Sequence, residues 1–305
     1  MEKCILVGTR QSALAIAQTK LVIEELKKKN PELKFELVGI KTKGDILLNT
    51  KLDLIGGKGL FVKEIENALI EGTIDMAVHS MKDMPATMAE ELVIAAVSDR
   101  EDPRDVLVTR EGITLEELKD GAIIGTSSAR REVQLLAMRK DLVVKQLRGN
   151  VITRLDKLEA GEYDGIILAA AGLKRLGMER RCTMYFAPEQ MIPSIGQGIL
   201  GIQTRKDSKL IELLAQIDSA KARLELEAER SIMVKLNGGC STPIAAHAHI
   251  EQDKMRIDGM LATEDYTKCV RASIEGDKYH AALLGERLAK QLVERMNDLN
   301  MEEER

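Results

Sequence analysis

Ala122-Ile123-Ile124-Gly125-Thr126-Ser127-Ser128-Ala129-Arg130-Arg131 carries the change of period that decides the fold. Its apolar opening reads as a buried strand, its glycine and hydroxyls as a turn, and residues 131–138 return at helical spacing. A strand that runs through such a turn into a helix brings backbone N–H groups and hydroxyls to the positive end of that helix, where an anion is stabilised. Two arginines add to that charge. The same residues also suit a plain N-cap with solvated arginines, since helix caps prefer Ser and Thr. Taken alone, the stretch leaves both readings open.

The alternation continues on either side. Residues 106–108 read as a strand, 142–147 as a strand, 153–160 as a helix and 165–168 as a strand. The first hundred residues repeat the scheme: a strand at 5–7, a helical stripe through Leu14, Ala17 and Leu21, and a strand at 35–40. A second stripe follows at Phe61, Val62, Ile65, Ala68 and Leu69, then a strand at 74–78. Strands alternating with helices predict α/β sheets of the doubly wound kind. The break Ser98-Asp99-Arg100-Glu101-Asp102-Pro103 separates the two runs. Beyond them come helical stretches at 208–217 and 221–236, three consecutive strands at 244–250, 255–261 and 269–274, and a helix over 280–296. That order predicts a small α+β C-terminal domain with a frayed tail at 302–305.

Composition narrows the function. A chain of 305 residues exceeds one ordinary core and predicts two or three domains. With 44% hydrophobic and 31% charged residues it is globular, and no stretch approaches the roughly 20 apolar residues of a membrane span. Met1 to Val7 lacks the apolar core of a signal peptide, so a soluble cytoplasmic protein is expected. A net charge of -4 with 2% aromatic residues argues against a nucleic-acid partner. Cysteines 4, 182, 240 and 269 are scattered and read as reduced thiols, and His247 and His249 lack a cysteine pair for zinc. Eight arginines between residues 121 and 182 point to a local positive field.

Several of those arginines follow strands. Arg148-Gly149-Asn150 ends one, Arg154 lies a turn into the next helix, and Arg175 closes Ala170-Ala171-Gly172-Leu173-Lys174-Arg175. Open α/β sheets bind ligands beyond the carboxyl ends of their strands, and a guanidinium fork matches carboxylates or phosphates. Each arginine also reads as an ordinary surface residue. His79-Ser80-Met81-Lys82-Asp83-Met84-Pro85 is a polar turn at another strand end. Asp83 there is a candidate for proton transfer if partly desolvated, or part of a simple turn. Cys240, in Leu236-Asn237-Gly238-Gly239-Cys240-Ser241-Thr242-Pro243, is either a covalent nucleophile presented by a glycine turn or inert packing.

Together these segments resemble the porphobilinogen deaminase family over nearly the whole chain. Matching stretches include Gly8-Thr9-Arg10-Gln11-Ser12-Ala13-Leu14-Ala15, Gly56-Gly57-Lys58-Gly59-Leu60-Phe61-Val62-Lys63-Glu64, His79 to Pro85, Gly125 to Arg131 and Leu147 to Asn150. Gly172-Leu173-Lys174-Arg175-Leu176-Gly177, Gly196-Gln197-Gly198 and Gly238-Gly239-Cys240 complete the set in the same order. The resemblance implies two doubly wound domains like periplasmic-binding-protein lobes, residues 1–98 with 198–217 and residues 103–193, plus an α+β domain at 220–305. It implies a transferase of tetrapyrrole (haem) biosynthesis. Four porphobilinogen units are condensed head to tail with release of four ammonia, and hydrolysis yields hydroxymethylbilane.

On the same basis Cys240 carries a dipyrromethane primer through a thioether, and Asp83 is the catalytic carboxylate. Arg10, Ser12, Gln18, Lys58, Lys82, Thr126, Ser128, Arg130, Arg131, Arg148, Arg154, Arg175 and Gln197 bind the acetate and propionate groups of cofactor and substrate. A monomer without a metal, a membrane or a nucleic-acid partner is implied. Leu54 departs from the family, many members of which have lysine there, and residues 42–60 are expected to cover the site. Two rivals remain on the residues alone: a noncatalytic protein that clamps a small carboxylate, and a phosphate-binding transferase, although the chain has no Gly-Lys-Ser/Thr P-loop.

Overall fold

Short β-branched runs and glycine-ended apolar stretches form strands, and the stretches with helical spacing cover them. The computed structural model describes residues 4–46, 62–236 and 243–303. In chain order the strands are β1 (Ile5–Arg10), β2 (Phe35–Ile40), β3 (Met76–Ser80), β4 (Leu92–Val97), β5 (Asp105–Thr109), β6 (Ile123–Gly125) and β7 (Val143–Lys145). They continue with β8 (Gly165–Ala169), β9 (Met184–Tyr185), β10 (Leu200–Arg205), β11 (Ile244–Glu251), β12 (Lys254–Ala262) and β13 (Cys269–Asp277). The chain divides into two units: Met1–Glu101 with Gly198–Arg223, and Asp102–Gln197 with Leu224–Arg305.

In the first unit the sheet order is β2-β1-β3-β10-β4. β1 is parallel to β2 and β3, whereas β10 runs antiparallel to β3 and β4. Arg10, Ile40 and Ser80 therefore end their strands on one edge, where Leu200 pairs with Ser80. Helix Ala13–Lys29 begins at Ser12, whose side chain accepts from the Ala15 N–H, and ends in Lys27, Lys28 and Lys29, charges that suit a helix C-terminus. Its Val22, Ile23 and Leu26 pack on Val7, Met76 and Ile202. Burial of each such side chain contributes about 2 kcal/mol.

In the second unit the larger sheet is ordered β7-β6-β8-β5-β9. β6 is parallel to β7 and β8, and β5 is antiparallel to β8 and β9. Gly125, Lys145 and Ala169 thus finish on one edge, and Asp105, paired with Ala169, opens β5 on that same edge. β7 is shorter than the run 142–147 suggests. Past Lys145 the Gln146 carbonyl accepts from Tyr163 Oη (2.7 Å) and the Leu147 carbonyl from Ser127 Oγ (2.8 Å), so side chains take up groups a longer strand would pair.

The three consecutive strands near the C-terminus form an antiparallel sheet, β11-β12-β13. Helix Ala281–Glu303 packs Leu284, Leu288 and Leu292 against its Met255 and Ile257. That helix runs through to Glu303, so residues 302 and 303 belong to it and not to a frayed tail. The stretch expected to be helical at 208–217 is helical only over Ile211–Ala215. The described residues contain no helix long and apolar enough to cross a membrane.

Candidate active site

At the end of β3 the chain makes a single tight turn, Met81–Asp83. Met81 and Met84, each 2% exposed, bracket it as buried anchors, and the Met81 N–H donates to the Ile199 carbonyl at 3.0 Å. Lys82 and Asp83 are left half-buried between them. A carboxylate so placed is fixed by packing on both sides without being sealed from a ligand. Beneath it, Gln18 of the first helix is buried and donates Nε2 to Ser80 Oγ at 3.0 Å. Arg10, closing β1, donates Nε to Asp45 Oδ1 at 3.1 Å, and Thr42 Oγ1 donates to Asp45 Oδ2 at 2.7 Å. Burial alone would raise the Asp45 pKa, but Arg10 and Thr42 outweigh it and hold the carboxyl below its ordinary value. Arg10, Ser12, Gln18, Lys82 and Asp83 are all brought to this one edge of the first sheet.

His79 lies inside the same strand end and is buried. Its Nε2 is 3.0 Å from Gln203 Oε1, while Gln203 Nε2 donates to Glu66 Oε1 at 2.8 Å. Because the Gln203 amide nitrogen is engaged with Glu66, its oxygen faces the imidazole, and His79 donates from Nε2 as the neutral tautomer. Burial pushes the His79 pKa down from 6.5 to about 4, the Gln203 bond acting upward and the Arg10 charge downward.

In the second unit the loop after β6 is tied down by its own backbone and hydroxyls. Thr126 N donates to the Lys145 carbonyl (3.0 Å), and Ser128 N donates to Thr126 Oγ1 (3.2 Å). Ser128 stands at the N-cap of helix Ala129–Met138, yet its side chain makes no capping bond there. Asn150 contrasts with it, capping helix Val151–Glu159 by accepting from Thr153 N at 3.0 Å. Arg154, in the first turn of that helix, donates Nε to the Gly149 carbonyl at 2.8 Å. Thr126 and Ser128 follow β6 and Arg148 and Arg154 follow β7, so the parallel strands gather these donors on one sheet edge. Arg175 ends helix Ala170–Arg175, about 8 Å along its axis from the same edge.

Arg130 and Arg131 are each only 6% exposed. Arg131 donates Nε (3.1 Å) and Nη2 (2.7 Å) to Asp105 Oδ1 and Nη1 to the Ile167 carbonyl (2.9 Å). Arg130 Nη2 lies 2.7 Å from Asp105 Oδ2 as an ion pair, and its Nη1 donates to the Ile192 carbonyl at 2.7 Å. Gln197 Nε2 donates to Asp105 Oδ1 at 3.0 Å and to the Pro103 carbonyl at 2.6 Å. Complete burial would drive the Asp105 pKa up, but the two guanidinium charges hold this carboxyl well below the usual range. Sequence reasoning missed Asp105. The available signal was an acid opening the otherwise apolar run Val106-Leu107-Val108.

Cys240, Lys58 and Leu54 lie outside the described residues, as do positions 47–60 of the expected cover. Among the described residues no cluster of His, Cys, Asp or Glu is arranged to hold a metal ion. The donor set of the second sheet edge, hydroxyls and half-buried guanidiniums beside a helix N-terminus, suits a ligand bearing several carboxylates, as a dipyrromethane does.

Comparison with known proteins agrees with that chemistry. Residues 5–212 match the family model described as porphobilinogen deaminase, dipyromethane cofactor binding domain, and residues 223–294 match the porphobilinogen deaminase C-terminal domain. The chain is 46% identical to porphobilinogen deaminase from Bacillus subtilis (strain 168), over 97% of each chain. It is 45% identical to that of Alkaliphilus metalliredigens (strain QYMF), over 96% of this chain and 93% of the relative. Among solved structures it is similar to the methionine binding protein MetQ, with a TM-score of 0.46 and 15% identity, over 74% of this chain and 94% of that one. With both family models matched in order and relatives 45% and 46% identical aligned over 93% or more of each chain, the chain belongs to the porphobilinogen deaminase family.

Proposed function

We propose that this transferase joins four porphobilinogen units head to tail, releasing four ammonia, and hydrolyses the product to hydroxymethylbilane, with Asp83 as its catalytic carboxylate and Cys240 as the cofactor's point of attachment. The dipyrromethane, when bound, supplies the nucleophilic pyrrole carbon that the growing chain needs. The protein's residues do the rest. Asp83, held half-buried by its flanking methionines, assists departure of the substrate's ammonia and stabilises the cation left on the pyrrole. Lys82 beside it, with Arg10, Ser12 and Gln18 on the same edge, meets acidic side arms of the substrate. In the other unit Thr126, Ser128, Arg148, Arg154 and Arg175 take carboxylates of cofactor and substrate, and Arg130, Arg131 and Gln197 complete that set. Lys58 is assigned a similar part.

Each added pyrrole carries two carboxylates, so negative charge accumulates and has to be matched by groups that stay charged. The observation that carries the reading is the second sheet edge, where parallel strands line up hydroxyl and guanidinium donors for a polycarboxylate. We place the activity in tetrapyrrole (haem) biosynthesis, in a cytoplasmic monomer of three domains, residues 1–98 with 198–217, 103–193 and 220–305. The net charge of -4 works against a nucleic-acid partner.

The test combines ammonia release from porphobilinogen with the intact mass of the denatured full chain. Turnover together with a mass excess of two linked pyrroles, lost in Cys240→Ala, is the expected result. Active protein without that adduct would overturn the proposed attachment, and binding without ammonia release would favour a solute-binding protein.

A further inference from the structure

We infer that Asp105 is a positioning residue for carboxylate recognition, acting through Arg130 and Arg131. The inference rests on the reading that these two arginines meet acidic arms of the bound ligand. Two neighbouring guanidinium charges buried to 6% exposure repel each other and have lost most of their hydration, so they require a counter-ion. Asp105, fully buried, supplies it. Its Oδ1 takes two N–H groups of Arg131 and the Gln197 amide, and its Oδ2 faces Arg130.

The rest of each fork is restrained as well. Arg131 Nη1 is tied to the Ile167 carbonyl, and Arg130 Nη1 to that of Ile192. Ile192 is itself gripped by the buried Gln134, whose Nε2 donates to the Ile192 carbonyl (3.1 Å) while its Oε1 accepts the Ile192 N–H (2.8 Å). The guanidinium planes are thereby set before any ligand arrives. One carboxylate against two guanidiniums leaves one positive charge in surplus. A ligand carboxylate meets a fixed cation and bears little ordering cost. A purely structural ion pair would show its loss in the fraction of active protein, whereas a positioning role shows it in substrate binding.

Full-length wild type, Asp105→Asn and Asp105→Glu separate these. Ammonia release is followed against porphobilinogen concentration, with far-UV circular dichroism for folding. Asp105→Asn keeps the shape and removes the charge, and we expect its KM to rise about tenfold, the scale of one charge-assisted hydrogen bond, with kcat within about threefold. Asp105→Glu restores the charge in a displaced position and gives an intermediate KM. Should the Asn variant not fold, the Glu variant carries the test, and a wild-type KM there overturns the inference. An unchanged KM in Asp105→Asn, with loss confined to kcat or to active fraction, overturns it equally. Wild-type protein that releases no ammonia would instead remove the functional reading, and this inference with it.

Discussion

Acidification should weaken the first unit through His79, by an amount its surroundings set. In the folded chain the buried imidazole stays neutral down to about pH 4, against an ordinary value of 6.5. Above 6.5 it is neutral in both folded and unfolded chains, and its contribution to stability is complete. As pH falls below 6.5 the unfolded chain takes up a proton that the native chain refuses, so stability declines by about 1.4 kcal/mol per pH unit. Near pH 4 the accumulated loss is about 3 kcal/mol, a large share of a domain's stability.

His79→Gln removes the titration while keeping a donor aimed at Gln203 Oε1. Because the two units need not unfold together, the assay has to read the first unit alone. Urea-dependent hydrogen exchange of peptides spanning β3 and β10 does so, compared between about pH 7 and about pH 4.5. Titration of all other groups cancels in the difference between wild type and variant. The wild type should lose about 2 to 3 kcal/mol more than His79→Gln over that interval. Parallel pH dependences in the two proteins would refute the reasoning.

Replacing Asp83 by Ala should cut ammonia release by at least about a hundredfold with the melting temperature unchanged, and near-normal turnover would remove the carboxylate from its proposed role. Gly198→Ala should cost about 2 to 4 kcal/mol, since φ there is +90° and a Cβ would lie 2.2 Å from the backbone oxygen of Glu101; unaltered chemical denaturation would contradict this. Asn150→Ala should lose about 1 kcal/mol with its capping bond, whereas Ser128→Ala, which caps nothing, should hold its stability to within about 0.5 kcal/mol and raise KM. Equal stability losses in the two variants would mean that Ser128 serves its helix and not a ligand.

The α/β character of the chain was legible because its signals are local. The run 122–131 becomes β6, a tied loop and the start of helix Ala129–Met138, in the order its period implies. Strand β10 is a different case. It enters the first sheet from beyond residue 198, pairing with β3 and β4 more than a hundred residues earlier, and no local period reports such a return; the family resemblance alone pointed to it. Strand β4 was missed although Leu92 to Val97 is a continuous apolar run, whereas β9, two residues long, left too weak a local trace. For the candidate site, residues at strand ends could be picked out, since parallel strands put their carboxyl ends together whatever the loops contain. Their state was not readable. Arg130 and Arg148 look alike in sequence, yet one is buried beside an aspartate and the other half-buried at the edge.

Arg130 and Arg131 also show how far sequence reasoning can reach toward a missing partner. Consecutive helix positions point about 100° apart, so two adjacent arginines are both buried only if that end of the helix is covered on two sides. The cover comes from the sheet, through Asp105 and Ile167, and from the segment holding Ile192. A buried guanidinium stays charged, which means that such a helix end demands an acid close by. Asp105 stands 26 residues from Arg131 and 92 from Gln197, on a strand whose antiparallel pairing with β8 brings it to the edge where β6 ends. The need for that acid follows from two residues, but its position follows only from the topology of the whole sheet.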